Sequence, residues 1–287
     1  MALSIQSNMA SMSIQSQLNR TNDSLSTALE RLGSGFRINS AKDDAAGLQI
    51  ANRLNAQVVG QKAAIYNANN ANSMLQTAEG AFDEMTNISY RMKELATQAA
   101  NGSNNQSEYD ALDKEYTALK AELTNIMDNT TYGSGTNLFD AAVGKFTGAV
   151  DFQIGANSAE TLTVDVSTEV GAVRTSVGTT LQDLAWDTDS ATSVAAAQTE
   201  MDEIDNLIDN IGAARASLGA SMNRLDHTIN NVSNMMENTQ AAASQLMDAD
   251  YAAESSSMTK QQLLMNSGIS VLSASNSTTQ MIGSLLR

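Results

Sequence analysis

Ile14-Gln15-Ser16-Gln17-Leu18-Asn19-Arg20-Thr21-Asn22-Asp23-Ser24-Leu25-Ser26-Thr27-Ala28-Leu29-Glu30-Arg31-Leu32 places Ile14, Leu18, Thr21, Leu25, Ala28 and Leu32 alternately four and three residues apart. That alternation gathers small and apolar side chains on one helical stripe, the seam of a coiled coil that needs a partner. The far end of the chain repeats the pattern. Met258, Met265, Leu272, Thr279 and Leu286 recur in sevens, beside a second row of Leu264, Val271, Thr278 and Leu285. The middle of the chain has apolar patterns of its own, so the natural partner of each end is the other. A two-helix unit this thin buries little against an ordering cost of about 1 to 2 kcal/mol per residue. Both ends are therefore expected to be mobile in a lone subunit and ordered by neighbouring subunits.

Between the ends, Gly33-Ser34-Gly35 interrupts the first stripe, and Ser40 ahead of Asp43 and Asp44 marks a new helix start. A long helix is predicted from about Asp44 to Ala100, with Ala68, Ala71, Leu75, Ala78, Phe82, Met85, Met92 and Ala99 inward. At 1.5 Å per residue it would run about 80 Å. Asn101-Gly102-Ser103-Asn104-Asn105 stops it, and Ser107 caps a helix that buries Leu112, Tyr116, Leu119, Leu123 and Ile126. The period then changes to two at Val150, Phe152 and Ile154 and at Leu162, Val164 and Val166, which predicts a β-hairpin. Residues 167–193 are rich in Ser, Thr, Gly and Asp and read as a loop or a small excursion at a variable tip. Helix resumes with a seam from Ile204 to Met236 broken by Arg215.

The fold class is thus mainly α: a long-helix rod with a small β-hairpin, plus a coiled-coil domain built from the N- and C-terminal helices. The expected division is 1–42 and 248–287 for the coiled-coil halves and 43–247 for the rod. Within the rod, the hairpin falls near 150–166 and the variable tip near 168–195.

Composition narrows the function. Aromatics make up 4% of the 287 residues and there is no proline, so a compact enzyme core is poorly supplied while uninterrupted helices are permitted almost anywhere. The absence of cysteine removes disulfides, thiolate metal sites and thiol nucleophiles. A formal net charge of -16 disfavours nucleic acid and anionic membrane, and no stretch is apolar enough to insert in a bilayer. The opening residues lack the basic and apolar regions of a secretory signal, so an exported chain would use another route.

No residue constellation points to catalysis or to a cofactor. His227 is the single histidine and lies off the apolar seam, where an exposed surface histidine is the ordinary reading. Glu200, Asp202, Glu203, Asp205 and Asp209 could hold a divalent cation, but at helical spacing most of them form a wet face. Gly33-Ser34-Gly35 and Gly133-Ser134-Gly135 continue into neither a Walker motif nor a dinucleotide fingerprint and read as turns.

Leu32-Gly33-Ser34-Gly35-Phe36-Arg37-Ile38-Asn39-Ser40-Ala41-Lys42-Asp43-Asp44-Ala45-Ala46-Gly47 resembles the N-terminal signature of bacterial flagellins. Asp248-Ala249-Asp250-Tyr251-Ala252 with Ser284-Leu285-Leu286-Arg287 resembles their C-terminal one. Glu94 to Gly102 and Phe152 to Asn157 extend the likeness across nearly all of the chain outside 168–195. The resemblance implies a non-enzymatic filament subunit for swimming motility, of a short form lacking the outer variable domains. Its polymerisation seam would be Ile14, Leu18, Leu25, Leu32, Met258, Met265, Leu272 and Leu286. The resemblance further implies export through the flagellum's own secretion channel to an extracellular filament. The partners it implies are an export chaperone, a filament cap and hook-junction proteins. A hook-filament junction protein is the alternative, since such proteins share similar terminal helices. The family's contact with Toll-like receptor 5 would fall here on Arg91, Leu95 and Glu115. Read from the residues alone, those positions are outward ones, Leu95 beside the Met92 and Ala99 stripe, and a solvated rod face accounts for them equally.

Overall fold

The computed structural model describes residues 8–184 and 190–285, with side chains throughout except at 190, 278–280 and 282–285. Six α-helices are described: α1 (Met9–Ser34), α2 (Ala45–Ala99), α3 (Gln106–Asn129), α4 (Ser167–Thr175), α5 (Ser190–Met247) and α6 (Tyr251–Leu285). The four strands are β1 (Thr131–Tyr132), β2 (Thr136–Asn137), β3 (Val150–Gln153) and β4 (Thr161–Val164). They form two separate antiparallel pairs, β1 with β2 and β3 with β4. The chain divides into two units, Met1–Val58 with Glu237–Arg287, and Val59–Met236. Both divisions fall inside a long helix, not at 42/43 and 247/248, because α2 and α5 each contribute to both units and the loops expected as boundaries lie within the first.

In the unit that joins the ends, Asn8 caps α1 by accepting from the Ser11 N–H at 3.1 Å. The helix closes where Gly35, at φ 76°, turns its N–H back to the Arg31 carbonyl. The chain beyond it is zipped to the junction between α5 and α6. Phe36 bridges Asp248 in antiparallel fashion. The Arg37 N–H donates to the Met247 carbonyl at 2.6 Å, and the Ala249 N–H to the Gly35 carbonyl at 2.9 Å. Asp250 caps α6, accepting from the N–H groups of Ala252 and Ala253 at 2.9 and 3.1 Å. Asp44, not the Ser40 region, caps α2, through the Gly47 N–H at 2.9 Å. A β-carbon at Gly47 would lie 2.5 Å from the Asp44 carboxylate and 2.8 Å from the buried Ile38 side chain, which explains the glycine. Asp43 is drawn instead to the preceding turn, where its carboxylate accepts from the N–H groups of Asn39 and Ser40.

The second unit holds the large core. Its α2 positions read from periodicity are all buried, from Ala68 through Phe82 to Ala99. They meet Tyr109, Tyr116 and Leu123 of α3 and Ile204, Ile211, Leu218 and Leu225 of α5 in one cluster. Phe82 stacks at a tilt on Phe139, ring centres 4.7 Å apart, and Phe139 on Phe146 at 6.1 Å. The helix α3 begins at Asn105, not Ser107. Asn105 accepts from the Glu108 N–H while the Glu108 carboxylate accepts from the Asn105 N–H, a reciprocal capping box. Arg215, the break in the α5 seam, donates from Nε to Glu79 at 2.9 Å and pairs with Asp83 at 3.1 Å, both on α2.

The predicted hairpin is present as β3 and β4, paired from Val150 with Val164 to Gln153 with Thr161. Its connecting loop rests on α2 where Gly60 leaves no side chain; a β-carbon there would stand 2.8 Å from the Ala156 methyl. Two further features go beyond the sequence reading. The turn-rich stretch after α3 forms the short pair β1 and β2, with Gly133 and Gly135 at φ 65° and 83° in the turn. Of the loop or small excursion expected over 167–193, the structure forms an excursion, α4 followed by a π-helical turn over Ser176–Thr180, and α5 already runs from Ser190. Val170, Val173 and Val177 anchor this excursion in the core at helical spacing, which the surrounding Ser, Thr and Gly conceal.

Candidate assembly surface

Within the first unit, α1 and α6 run antiparallel. Asn8 reaches the Ser275 carbonyl and hydroxyl at 3.4 Å, and the Ser11 hydroxyl donates to Asn276 at 3.0 Å. At the other end Arg31 pairs with Glu254 at 3.0 Å. Between these ties the predicted stripes meet. Thr21 and Ala28 are buried, and Ile14, Leu18, Leu25 and Leu32 are half-buried on α1, as are Met258, Met265 and Leu272 on α6. Leu286 lies outside the described residues, and no side chain is described at Thr278, Thr279 or Leu285. Register is fixed at Gly268, where an added β-carbon would lie 2.7 Å from a Leu18 methyl, so Leu18 sits as a knob against bare helix backbone.

Pairing does not use up the apolar surface of these helices. Met9, Met12 and Leu29 on α1 and Leu263, Leu264, Ile269, Val271 and Met281 on α6 remain exposed. Helical geometry puts Leu264 and Val271 on one flank of the α6 seam and Ile269 on the other. Ile14, Leu18 and Thr21 face Leu264, Gly268 and Val271 across an open groove between the two helices. The strict sevenfold rows foresaw Leu264 and Val271. They missed Leu29 and Ile269, which flank the seams, and Met9, Met12, Leu263 and Met281, which helical geometry puts on the faces turned away from them. Exposed apolar area of this extent along paired helices marks a surface made to be covered.

The positions suggested for receptor contact separate. Arg91 and Glu115 are exposed and joined, the Arg91 Nε donating to Glu115 at 2.8 Å while its Nη1 meets Glu94 at 2.6 Å. Those carboxylates, Glu115 first, hold the guanidinium above its ordinary pKa. Leu95 is 1% exposed and belongs to the core, so its expected outward placement is corrected. In this unit α2 is covered by α3 as well as α5, and its buried arc widens to take in Ile88, Ser89, Leu95 and Ala96 beside the predicted stripe.

His227 is exposed. Among the described residues no group of three or more His, Cys, Asp or Glu is arranged to hold a metal ion. Glu200 is not on a wet face. It is 4% exposed, accepts the Tyr116 hydroxyl at 3.0 Å and receives the Gln182 N–H on both carboxylate oxygens at 3.1 Å. Burial raises its pKa, while Tyr116, the Gln182 N–H and Lys120 pull it down, and burial prevails. No described helix is long and apolar enough to cross a membrane.

A unit with a closed helical core, and another in which α1 and α6 pair with one another yet stay apolar outside, define a self-assembling structural subunit. Residues 5–143 match the bacterial flagellin N-terminal helical region, and residues 201–286 match the bacterial flagellin C-terminal helical region. Among similar proteins, "Flagellin" of Listeria monocytogenes is 37% identical over 291 residues, covering 99% of each chain. "Flagellin A" of Vibrio anguillarum is 32% identical over 389 residues, covering 100% of both. A crystal structure of Bacillus cereus flagellin is 33% identical over 62% of this chain and 94% of its own, with a TM-score of 0.46. A putative flagellar hook-associated protein from Vibrio parahaemolyticus shares the fold at 14% identity and a TM-score of 0.56, over 72% of this chain and 100% of its own. The chain belongs to the bacterial flagellin family, whose members are structural subunits of the flagellar filament.

Proposed function

We propose that this chain polymerises through the paired α1 and α6, each subunit covering the apolar flanks left exposed on its neighbours. The observation that carries this is the row of large apolar side chains beside an already paired seam, Leu264 and Val271 above all. Assembly in this reading is driven by removal of apolar area from water. The thin seam, in which only Thr21 and Ala28 of α1 are fully buried, gives a reason for α1 and α6 to gain order on assembly while the second unit folds alone. The seam residues are Ile14, Leu18, Leu25, Leu32, Met258, Met265, Leu272 and, beyond the described residues, Leu286.

The role is mechanical and not catalytic. Export through the flagellar channel to an extracellular filament accompanies it, with a chaperone shielding the apolar C-terminal segment and with cap and hook-junction proteins at the filament's ends. Recognition by Toll-like receptor 5 would have to use Arg91 and Glu115 without a Leu95 side chain at the surface. A hook-filament junction role draws on the shared fold with the hook-associated protein, but identity over the full length favours the filament subunit. Two measurements test the proposal: seeded polymerisation followed by electron microscopy, and copy number in sheared filaments. Long filaments and dominant abundance are expected, and both should be lost in Leu25→Asp and Leu272→Asp while the second unit still folds. Normal filaments from both variants would refute it, and scarce copies confined to one end of the filament would favour the junction role.

A further inference from the structure

We infer that Asn101-Gly102, in the turn between α2 and α3, is a site of spontaneous succinimide formation, at which the subunit acquires a negative charge and an altered backbone with age. It is the single Asn-Gly pair in the chain. Asparagine becomes labile when the next backbone nitrogen can reach its side-chain carbonyl carbon, and a glycine on the C-terminal side removes the β-carbon that obstructs that approach. Here Asn101, Gly102 and Ser103 are exposed. The nearest outside atom to a β-carbon built on Gly102 would be a Val194 methyl at 4.0 Å.

The turn also prepares the reacting carbonyl. The Ser103 N–H donates to the Asn101 Oδ1 at 3.2 Å, which folds the carboxamide back over the intervening Gly102 peptide. The same N–H stands where negative charge develops on Oδ1 as the tetrahedral intermediate forms, so it favours that step as a single oxyanion donor. Meanwhile the Asn104 N–H donates to the Asn101 carbonyl at 3.1 Å, and the Asn101 N–H to that of Gln98 at 3.2 Å, and these hold the turn closed.

The step balances with water alone. The Gly102 nitrogen bonds to Cγ of Asn101 and gives up its proton to solvent; the Cγ–Nδ2 bond breaks, and the side-chain nitrogen takes a proton and leaves as ammonia. Water then adds to one or other carbonyl of the five-membered imide, leaving aspartate or isoaspartate at position 101. Either product puts negative charge just beyond the last turn of α2, at the carbonyl end of the helix, where the helix dipole disfavours it. Isoaspartate also lengthens the backbone of the turn.

Other pairs in the chain offer contrast. In Asn39-Ser40 the nitrogen that would attack donates to Asp43 at 2.9 Å. In Asn157-Ser158 the carboxamide is tied to Glu160 at 2.8 Å. Asn72, Asn266 and Asn276 precede serines inside helices, where the following N–H serves the helix ladder.

The test is to hold purified protein in warm, mildly alkaline buffer for several weeks and map peptides by mass spectrometry, resolving the two acidic products and labelling isoaspartate with isoaspartyl methyltransferase. Conversion at position 101 should exceed that at Asn39 and Asn157 by about tenfold or more, and Gly102→Ala should cut it by about the same factor while the melting curve holds, since the added methyl meets only the Val194 methyl, at the ordinary contact distance of 4.0 Å. Conversion at 101 no faster than at those two positions, or undiminished in the folded Gly102→Ala variant, would overturn the inference.

Discussion

Val271→Asp separates assembly from folding. Val271 is 51% exposed on α6, so about half of its side chain remains to be covered by a neighbour. Fully burying a valine is worth about 1.5 to 3 kcal/mol, and the remaining half therefore contributes about 1 kcal/mol to each assembly step. An aspartate forfeits that and brings an unpaired carboxylate to a dry contact, which costs several kcal/mol more. With a total near 4 kcal/mol and about 1.4 kcal/mol per decade, the critical concentration for filament growth should rise about a thousandfold. Val271→Ala, which removes only the apolar part, should raise it about fivefold. The second unit, to which Val271 does not belong, should keep its stability to within about 0.5 kcal/mol. Light scattering during seeded growth over a concentration series gives the critical concentration, and calorimetry gives subunit stability. Val271→Asp growing at the native critical concentration would refute the reasoning, and so would equal effects of the two substitutions.

Leu95→Ala should destabilise the second unit by about 2 to 5 kcal/mol by emptying a core site, whereas Arg91→Ala and Glu115→Ala break an exposed, solvent-screened pair and should scarcely move the melting curve; thermal denaturation ranks them. Glu200 gives a pH dependence. Its folded pKa lies above the usual 4.5, so its contribution is fully present below the ordinary glutamate range and lost as pH rises through the folded value. Tyr109, Asp113, Tyr116 and Lys120 of α3, Asp183 on the segment before α5, and Glu203 set its surroundings. Asp113 is raised in the same direction, by burial first. Asp140 works the other way, lowered by the N–H groups of Ala142 and Val143, so its contribution goes as pH falls. Melting temperatures from acid to neutral pH should decline less for Glu200→Gln than for the native chain, and an unchanged slope would count against the buried carboxylate as the cause. Glycine contacts supply an opposed pair. Gly60→Leu should drive the 154–160 loop off α2 and raise hydrogen exchange in β3 and β4, while Gly80→Ala, with nothing near its added methyl, should stabilise the chain by about 0.5 to 1 kcal/mol.

Elements with a long, regular period were legible from sequence. The stripes of α1, α2, α5 and α6 were readable because one partner on one side leaves a narrow arc, and the residues of that arc recur at threes and fours. Leu95 escaped because a second partner, α3, widens the arc, and a single helix's periodicity does not report how many neighbours it has. The capping box of α3 was present in Asn105-Gln106-Ser107-Glu108, but Ser107 competed for the cap, and geometry decided for Asn105. The start α4 makes with Val170 and Val173 was hidden by residues that favour turns, and tertiary burial overrode that preference. Glu200 shows the converse limit: its helix spacing fits a wet face, and only Tyr116 and Gln182, 84 and 18 residues away in sequence, make it an interior group. At the assembly surface the seam was legible and its flanks only in part, since exposure depends on how deep each side chain sits once α1 and α6 have paired.

The central claim is that α1 and α6 are completed by neighbouring subunits while the second unit stands alone. Amide hydrogen exchange on subunits and on filaments measures this directly. The account predicts rapid exchange along α1 and α6 in the subunit and strong protection of both in the filament, with the amides of α3 and of the α2 and α5 segments in the second unit protected in each state. Equal protection of α1 and α6 before and after polymerisation would contradict it.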